Sequence, residues 1–252
     1  VFGPDELTDD GFLDGRLRIW QPRAGYRAAT DPVLLAAAVP ARARQSVLEL
    51  GCGAGVASLC LGLRVSGLAQ AGLELQPAYA ALARMNAARN ALALEVVEGD
   101  LAAMPADLRR PFDHVMLNPP YFTAGGGTAA ADAGRETAQR EATPLAVWVD
   151  AAIRRLHPGG HMTLIIGADR LPDVLAGCAP RLGSLAVLPL ASRAGRAAGR
   201  VIVQGRKGGR AAFRLLAPFV LHDGNSHDGD RDSYSSAAAQ ILRDGGSFPS
   251  GL

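Results

Sequence analysis

The sequence has a single lysine. Lys207 stands alone among 252 residues, and arginine carries nearly all the positive charge. With so much alanine, that bias speaks of GC-rich codons rather than of function. Cysteine is scarce too: Cys52, Cys60 and Cys178 form an odd set with no zinc or redox spacing. That excludes a disulfide framework and a zinc module. It leaves three small apolar side chains in a reducing compartment. No histidine stands at metal-ligand spacing from a cysteine or carboxylate, so no metal is expected. No apolar run reaches the ~18 residues of a membrane helix, and no signal-like segment opens the chain at Val1. No membrane contact is expected, and the cytoplasm is the expected compartment.

The net charge of +2 is too small to argue for nucleic acid. Its distribution says more. The stretch 181–214 holds seven arginines and Lys207 with no acidic residue, and 223–232 turns acidic. Such a stretch suits a phosphate-binding face, with Arg206 and Lys207 as candidate contacts. It equally suits a solvated surface whose countercharges lie elsewhere in the fold.

Turn and period signals give the organisation. Asp14-Gly15 between short apolar runs reads as a hairpin. Asp31 reads as a helix cap with Pro32 in the first turn and the helix continuing over 33–39. Strands are expected at 46–50, 71–75, 94–98, 112–117 and 161–166, with helices at 54–65, 77–90, 144–156 and 169–179. Further strands are expected at 185–190, 200–204 and 213–216, and a last helix at 235–243. Alternating units followed by strands without helices predict an α/β fold, with one mostly parallel sheet and an antiparallel edge. The glycine- and alanine-rich segment 123–143 reads as a long substrate loop. The expected division is a hairpin and helix packing on the core (1–40), the core domain (41–222), and a C-terminal helix and tail (223–252).

The chemistry concentrates at Asn118-Pro119-Pro120-Tyr121, directly after the strand 112–117. The Asn118 side-chain oxygen accepts a hydrogen bond from a planar –NH2 group. The Pro119 carbonyl is a second acceptor, held in extended backbone by the two prolines. Tyr121 offers a face for stacking. The set suits a reaction in which a conjugated amino nitrogen becomes a nucleophile.

Upstream, Glu49-Leu50-Gly51-Cys52-Gly53-Ala54-Gly55 closes the first core strand. Its Gly-x-Gly-x-Gly is one residue shorter than the dinucleotide fingerprint and alone is weak. Glu74 ends the next strand, where a carboxylate can accept from both ribose hydroxyls of an adenosine cofactor. Asp100 follows the third strand and can hold an adenine amino group. Each acid alone is equally well a solvated strand-end carboxylate. The ordered series of glycine turn, Glu74, Asp100 and Asn118 at successive strand ends is harder to reach by coincidence.

This order resembles the class I S-adenosylmethionine-dependent methyltransferases that methylate amino groups. Within them it is most similar to the bacterial valine-tRNA adenine-N6 methyltransferases. The resemblance covers roughly 11–214. It includes Gln21-Pro22, Gly25-Tyr26, Thr30-Asp31, Leu34-Leu35, Glu74-Leu75-Gln76-Pro77, Asn118 to Phe122, and a later loop with Arg135 and Arg140. It implies a Rossmann-like, seven-stranded fold and S-adenosylmethionine as cofactor. Glu49, Gly51, Cys52, Gly53 and Gly55 would line the methionine side, with Cys52 as a small residue and no nucleophile. Thr30 and Asp31 would close over that end. Glu74 with Leu75 would take the ribose, and Asp100 with Leu101 the adenine. The implied substrate is a tRNA adenosine next to the anticodon, with Tyr121, Phe122, Arg135 and Arg140 on the substrate side. The protein would be a monomer or homodimer.

Three rivals are weighed against this. Release-factor glutamine methyltransferases share Asn-Pro-Pro-Tyr, but usually carry a helical N-terminal domain and end soon after the core. DNA adenine methylation would call for a target-recognition domain. A non-catalytic cofactor- and RNA-binding module leaves the intact Asn118 and Tyr121 unexplained.

Overall fold

The computed structural model describes residues 1–252 apart from 121, 124–139, 142, 180, 225–232 and 249–251, with backbone only for 122–123 and 140–141. An N-terminal hairpin pairs β1 (Leu7–Phe12) with β2 (Leu17–Pro22), and α1 (Asp31–Ala38) follows. Then come β3 (Ser46–Leu50), α2 (Val56–Arg64), β4 (Ala69–Glu74), α3 (Pro77–Arg89), β5 (Glu95–Glu98) and β6 (Phe112–Leu117). Two short strands, β7 (Phe122–Thr123) and β8 (Arg140–Glu141), pair in parallel. The chain continues through α4 (Leu145–Arg155), β9 (Leu156–Gly167), α5 (Leu171–Cys178), β10 (Leu182–Ala191) and β11 (Ala198–Lys207). It closes with β12 (Arg214–Leu215), β13 (Phe219–Val220) and α6 (Ser236–Leu242).

The main sheet has the order β12-β10-β11-β9-β6-β3-β4-β5, with β13 also on β10. Strands β5, β4, β3, β6 and β9 are parallel neighbours. The antiparallel element is β11, inserted between β9 and β10. Each of the eight expected strands has a counterpart, the last of them shortened to β12, and β13 is added beside β10.

Side chains alternate across this sheet with the period of two that a strand dictates. Val115 and Leu117, Leu164 and Ile166, and Val201 and Val203 join the core under α4 and α5. Met116, Ile165 and Ile202 face the opposite core, with α1, α2 and α6. Both faces are covered, as a parallel sheet requires.

Strand β9 begins earlier than the expected 161. Pro158-Gly159-Gly160 does not precede the strand but bulges within it, and the pairing with β6 shifts register between Phe112 and His114. Gly159 stands at φ +86°, which makes the bulge possible.

Asn86 and Asn90 on α3 fasten the hairpin to the core. Asn86 Oδ1 accepts from Trp20 N at 2.8 Å, and its Nδ2 donates to Trp20 O and to Ala54 O, both at 3.0 Å. Asn90 repeats the pattern one turn later on Arg18, with bonds of 2.9 Å. An amide at i and i+4 thus supplies β2 with the partners a neighbouring strand would give.

Candidate active site

A cavity of about 620 Å³ opens along the C-terminal ends of the parallel strands. That is the edge where open α/β sheets bind ligands, and the size suits a nucleotide-like cofactor. Its lining takes in Thr30, Asp31, Glu49, Gly51, Cys52, Gly53, Glu74, Leu75, Asp100, Leu101, Asn118, Pro119 and Pro120. The structure thus brings most of the candidate residues to one place.

The glycine turn is shaped by its backbone. Gly51, Gly53 and Gly55 stand at φ +68°, +53° and +85°, all in the left-handed region. Gly51 N and Cys52 N donate to Leu73 O at 2.8 and 3.0 Å, which ties the turn to β4. Gly55 is set back from the cavity wall. A Cβ there would meet Ala83 and Leu94 at 3.4 Å, so this glycine serves the packing of α2 on α3. Cys52 packs on Gly72, and burial pushes its thiol far up, so it is no nucleophile.

Glu74 grips the turn. Its Oε2 accepts from Gly53 N at 2.8 Å and its Oε1 from Gln76 N at 2.9 Å. Burial raises its pKa, opposed by these same N–H donors. Each oxygen keeps a second acceptor site for a hydroxyl. Glu49 is fully buried and accepts from the backbone N–H of Ser58 at 3.0 Å and from its hydroxyl. Burial pushes its carboxyl up to about 8, although Ser58 opposes the shift. Asp100 Oδ1 accepts from Ala102 N at 2.8 Å and so caps the turn that carries Leu101.

Asp31 corrects the sequence reading. It does not cap α1; Thr30 is the N-cap residue and makes no side-chain cap bond. Asp31 lies in the first turn, and its carboxylate is paired with Arg200 Nη1 from β11. The charge belongs at a helix N-terminus, and the cavity wall gains an ion pair.

Lining residues that the sequence reading did not name as site residues include Tyr26, Trp148 and Arg200. Tyr26 lies 3.8 Å from where a Gly53 Cβ would stand, and burial pushes its hydroxyl up to about 12. Trp148, on α4, covers Gly51 so closely that a Cβ there would lie 2.7 Å from the ring. Its Nε1 is buried and has no hydrogen-bond partner among the described residues. Gly25-Tyr26 was visible as a motif. Trp148 and Arg200 carried no local signal.

Arg206 and Lys207 are not brought to the cavity. They lie at the opposite end of β11, where Arg206 pairs with His161, directly after the bulge in β9. Lys207 Nζ donates to Ile153 O at 2.9 Å and Leu156 O at 2.7 Å, which satisfies the C-terminal end of α4. Arg206 Nε donates to Gly159 O at 3.1 Å. Tyr121, Arg135 and most of the expected loop 123–143 lie outside the described residues. The backbones of Phe122 and Arg140 pair with each other.

The profile of the methyltransferase small domain family matches residues 29–172. A Dickeya chrysanthemi tRNA1(Val) (adenine(37)-N6)-methyltransferase is 29% identical over 94% of each chain. An Actinobacillus succinogenes enzyme of the same name is 31% identical over 77% of this chain and 82% of its own. The chain belongs to this methyltransferase family. Among solved structures, an Agrobacterium tumefaciens protein described as a predicted O-methyltransferase superposes with a TM-score of 0.71 at 25% identity. It covers 88% of this chain and 100% of its own.

The cofactor of the family is S-adenosylmethionine. The donor set fits it: the glycine turn leaves a cradle that a Cβ would fill, two acids stand at adjacent strand ends, and Trp148 is part of the cavity wall. Among the described residues no cluster of three or more histidine, cysteine, aspartate or glutamate side chains can hold a metal, and no helix is long and apolar enough to cross a membrane.

Proposed function

We propose that this enzyme methylates the exocyclic N6 amine of a tRNA adenosine, and that the target is adenosine 37 of valine tRNA. The observation that carries the reading is the placement of Asn118 and Pro119 in one cavity with the glycine turn, Glu74 and Asp100. The names of the relatives supply the nucleotide.

S-adenosylmethionine supplies an electrophilic methyl group. The work of this chain is to position the amine. An adenine amine is a poor nucleophile because its lone pair is delocalised into the ring. The Asn118 side-chain oxygen and the Pro119 carbonyl accept its two hydrogens and favour a tetrahedral nitrogen. Pro119 is buried and Asn118 half-buried, so both acceptors work in a site with little competing water. No strong base is required, because the methylated ammonium loses its proton readily. The target base leaves its stack to reach this depth, and an aromatic contact from Tyr121 would offset about 1–3 kcal/mol of that cost.

Glu74 binds the ribose hydroxyls, Asp100 the adenine amine, and Glu49 and the glycine turn the methionine side. The test is transfer of labelled methyl to unmodified tRNA, with release factor and duplex DNA in parallel, followed by nucleoside mass spectrometry. N6-methyladenosine from tRNA alone is the expected result. Label on the release factor would overturn the reading in favour of glutamine methylation.

A further inference from the structure

We infer that Arg200, held in place by Asp31, binds a backbone phosphate of the target RNA beside the flipped base. The inference rests on the RNA reading above and names the contact that seats the substrate.

The order of strands along the cavity edge is the first argument. It runs from Asp100 after β5 and Glu74 on β4, through Gly51 after β3, to Asn118 after β6. Next comes β9, and then β11 with Arg200, which pairs with Gly167 at the end of β9. The cofactor's adenosine belongs to the Glu74 and Asp100 end. Asn118 marks where the methyl group is handed over. What lies beyond Asn118 belongs to the acceptor. Two strand spacings separate β6 from β11, about 10 Å. That is about the reach of a nucleotide from its base edge to its phosphate.

The second argument is the state of the cations that line the cavity. Among the described residues they are Arg23, Arg27 and Arg200. Arg23 Nε donates to Asp5 O at 3.0 Å. Arg27 donates to Thr8 Oγ1, Pro22 O and Asp10 Oδ2 at 2.6–2.9 Å. Arg27 is spent on the hairpin, and Arg23 lies exposed at the N-terminal segment, away from the strand ends. Arg200 comes from the sheet and is 41% exposed, and its ion pair with Asp31 engages Nη1. A guanidinium has five N–H donors in a rigid fork, so donors remain for a second oxyanion. The Asp31 side chain is only 12% exposed and sits at the start of α1, so it fixes the fork before a ligand arrives.

The geometry also redistributes the basic stretch. Arg200 and Lys207 are seven residues apart on one strand, about 23 Å at 3.3 Å per residue. Only the Arg200 end of β11 meets the cavity. Arg196 is exposed in the turn that leads into β11 at the same edge.

The other oxyanion that could reach Arg200 is the carboxylate of the cofactor's methionine, and the experiment separates the two. Arg200→Gln and Arg200→Lys are compared with wild type in steady-state methylation of unmodified tRNA over a range of salt. Cofactor affinity is read by calorimetry, and folding by thermal unfolding. For Arg200→Gln the expected result is a roughly tenfold higher KM for tRNA and a log–log salt slope shallower by about one. Cofactor affinity stays within about twofold. Arg200→Lys keeps the slope because it keeps the charge, and its KM falls between the other two. A salt slope and KM equal to wild type in Arg200→Gln would overturn the inference and leave the RNA reading standing. So would weakened cofactor binding with unchanged KM for tRNA, which assigns the oxyanion to methionine. Wild-type enzyme that labels no RNA overturns both readings together.

Discussion

Gly51→Ala is the substitution whose cost the structure sets most directly. Gly51 stands at φ +68° between β3 and α2. A residue with a Cβ pays about 1–2 kcal/mol for that conformation. The new Cβ would also lie 2.7 Å from Trp148 Cη2 and 3.0 Å from Cζ3, inside contact distance. Overpacking of this kind costs about 1–3 kcal/mol, for a total of about 2–5 kcal/mol with the backbone term. The two parts can be separated. Trp148→Ala removes the ring, and with it the clash, but leaves the left-handed backbone untouched. The double variant is therefore expected to be about 1–3 kcal/mol more stable than the two single losses added together. Urea unfolding of the four proteins measures the cycle. Strict additivity would refute the claim that the ring and the turn share one boundary. Cofactor affinity provides the second reading. Turn and ring are both cavity walls, so Gly51→Ala should weaken binding, and the double variant should not restore it, because the indole is gone.

Asn118→Ala should leave cofactor affinity within a fewfold and lower kcat by about 10²–10³, as loss of a preorganised polar contact does; full activity in rapid-quench turnover would remove Asn118 from the reaction. Glu49, with its carboxyl pushed up to about 8, holds a proton at pH 7 in the free enzyme. A cationic amine seated beside it favours the carboxylate, so cofactor binding should release up to about one proton; calorimetry in buffers of different ionisation enthalpy reads this, and Glu49→Gln should abolish it. His114 is buried in β6, and desolvation lowers its pKa from 6.5 to about 4. The unfolded chain then takes the proton first, so its contribution is complete above pH 6.5 and is lost as pH falls from 6.5 toward 4, by at most about 3 kcal/mol. His114→Leu should flatten that acid limb, and an unchanged limb in pH-dependent urea unfolding would contradict the burial argument.

What was legible in the sequence was chemistry held in contiguous residues. Gly51-Cys52-Gly53-Ala54-Gly55 and Asn118-Pro119-Pro120 each carry their geometry in their own backbone preferences, so their order at successive strand ends could be read before any fold was known. The hairpin was legible for the same reason: Asp14 and Gly15 accept positive φ. Residues whose role depends on a distant partner were not. Asp31 has the composition of a cap, and only the arrival of β11 shows that its carboxylate faces a guanidinium instead. Trp148 reads as one more apolar position on an amphipathic helix. Its contact with Gly51 arises from the way α4 packs over β6 and β9.

The basic stretch shows the limit most sharply. Charge dense in sequence is not charge dense in space when the residues lie on an extended strand, because each step moves about 3.3 Å along it. The direction of β11 then decides which arginine matters. Because β11 runs antiparallel to β9, its first residues meet the C-terminal edge of the sheet and its last residues meet the opposite edge. Arg200 therefore reaches the cavity, while Lys207 closes the end of α4. Had β11 been parallel to β9, the two would have exchanged roles with no change in composition. A reading that counts charges along the chain cannot make that distinction; it takes the pairing of Arg200 with Gly167.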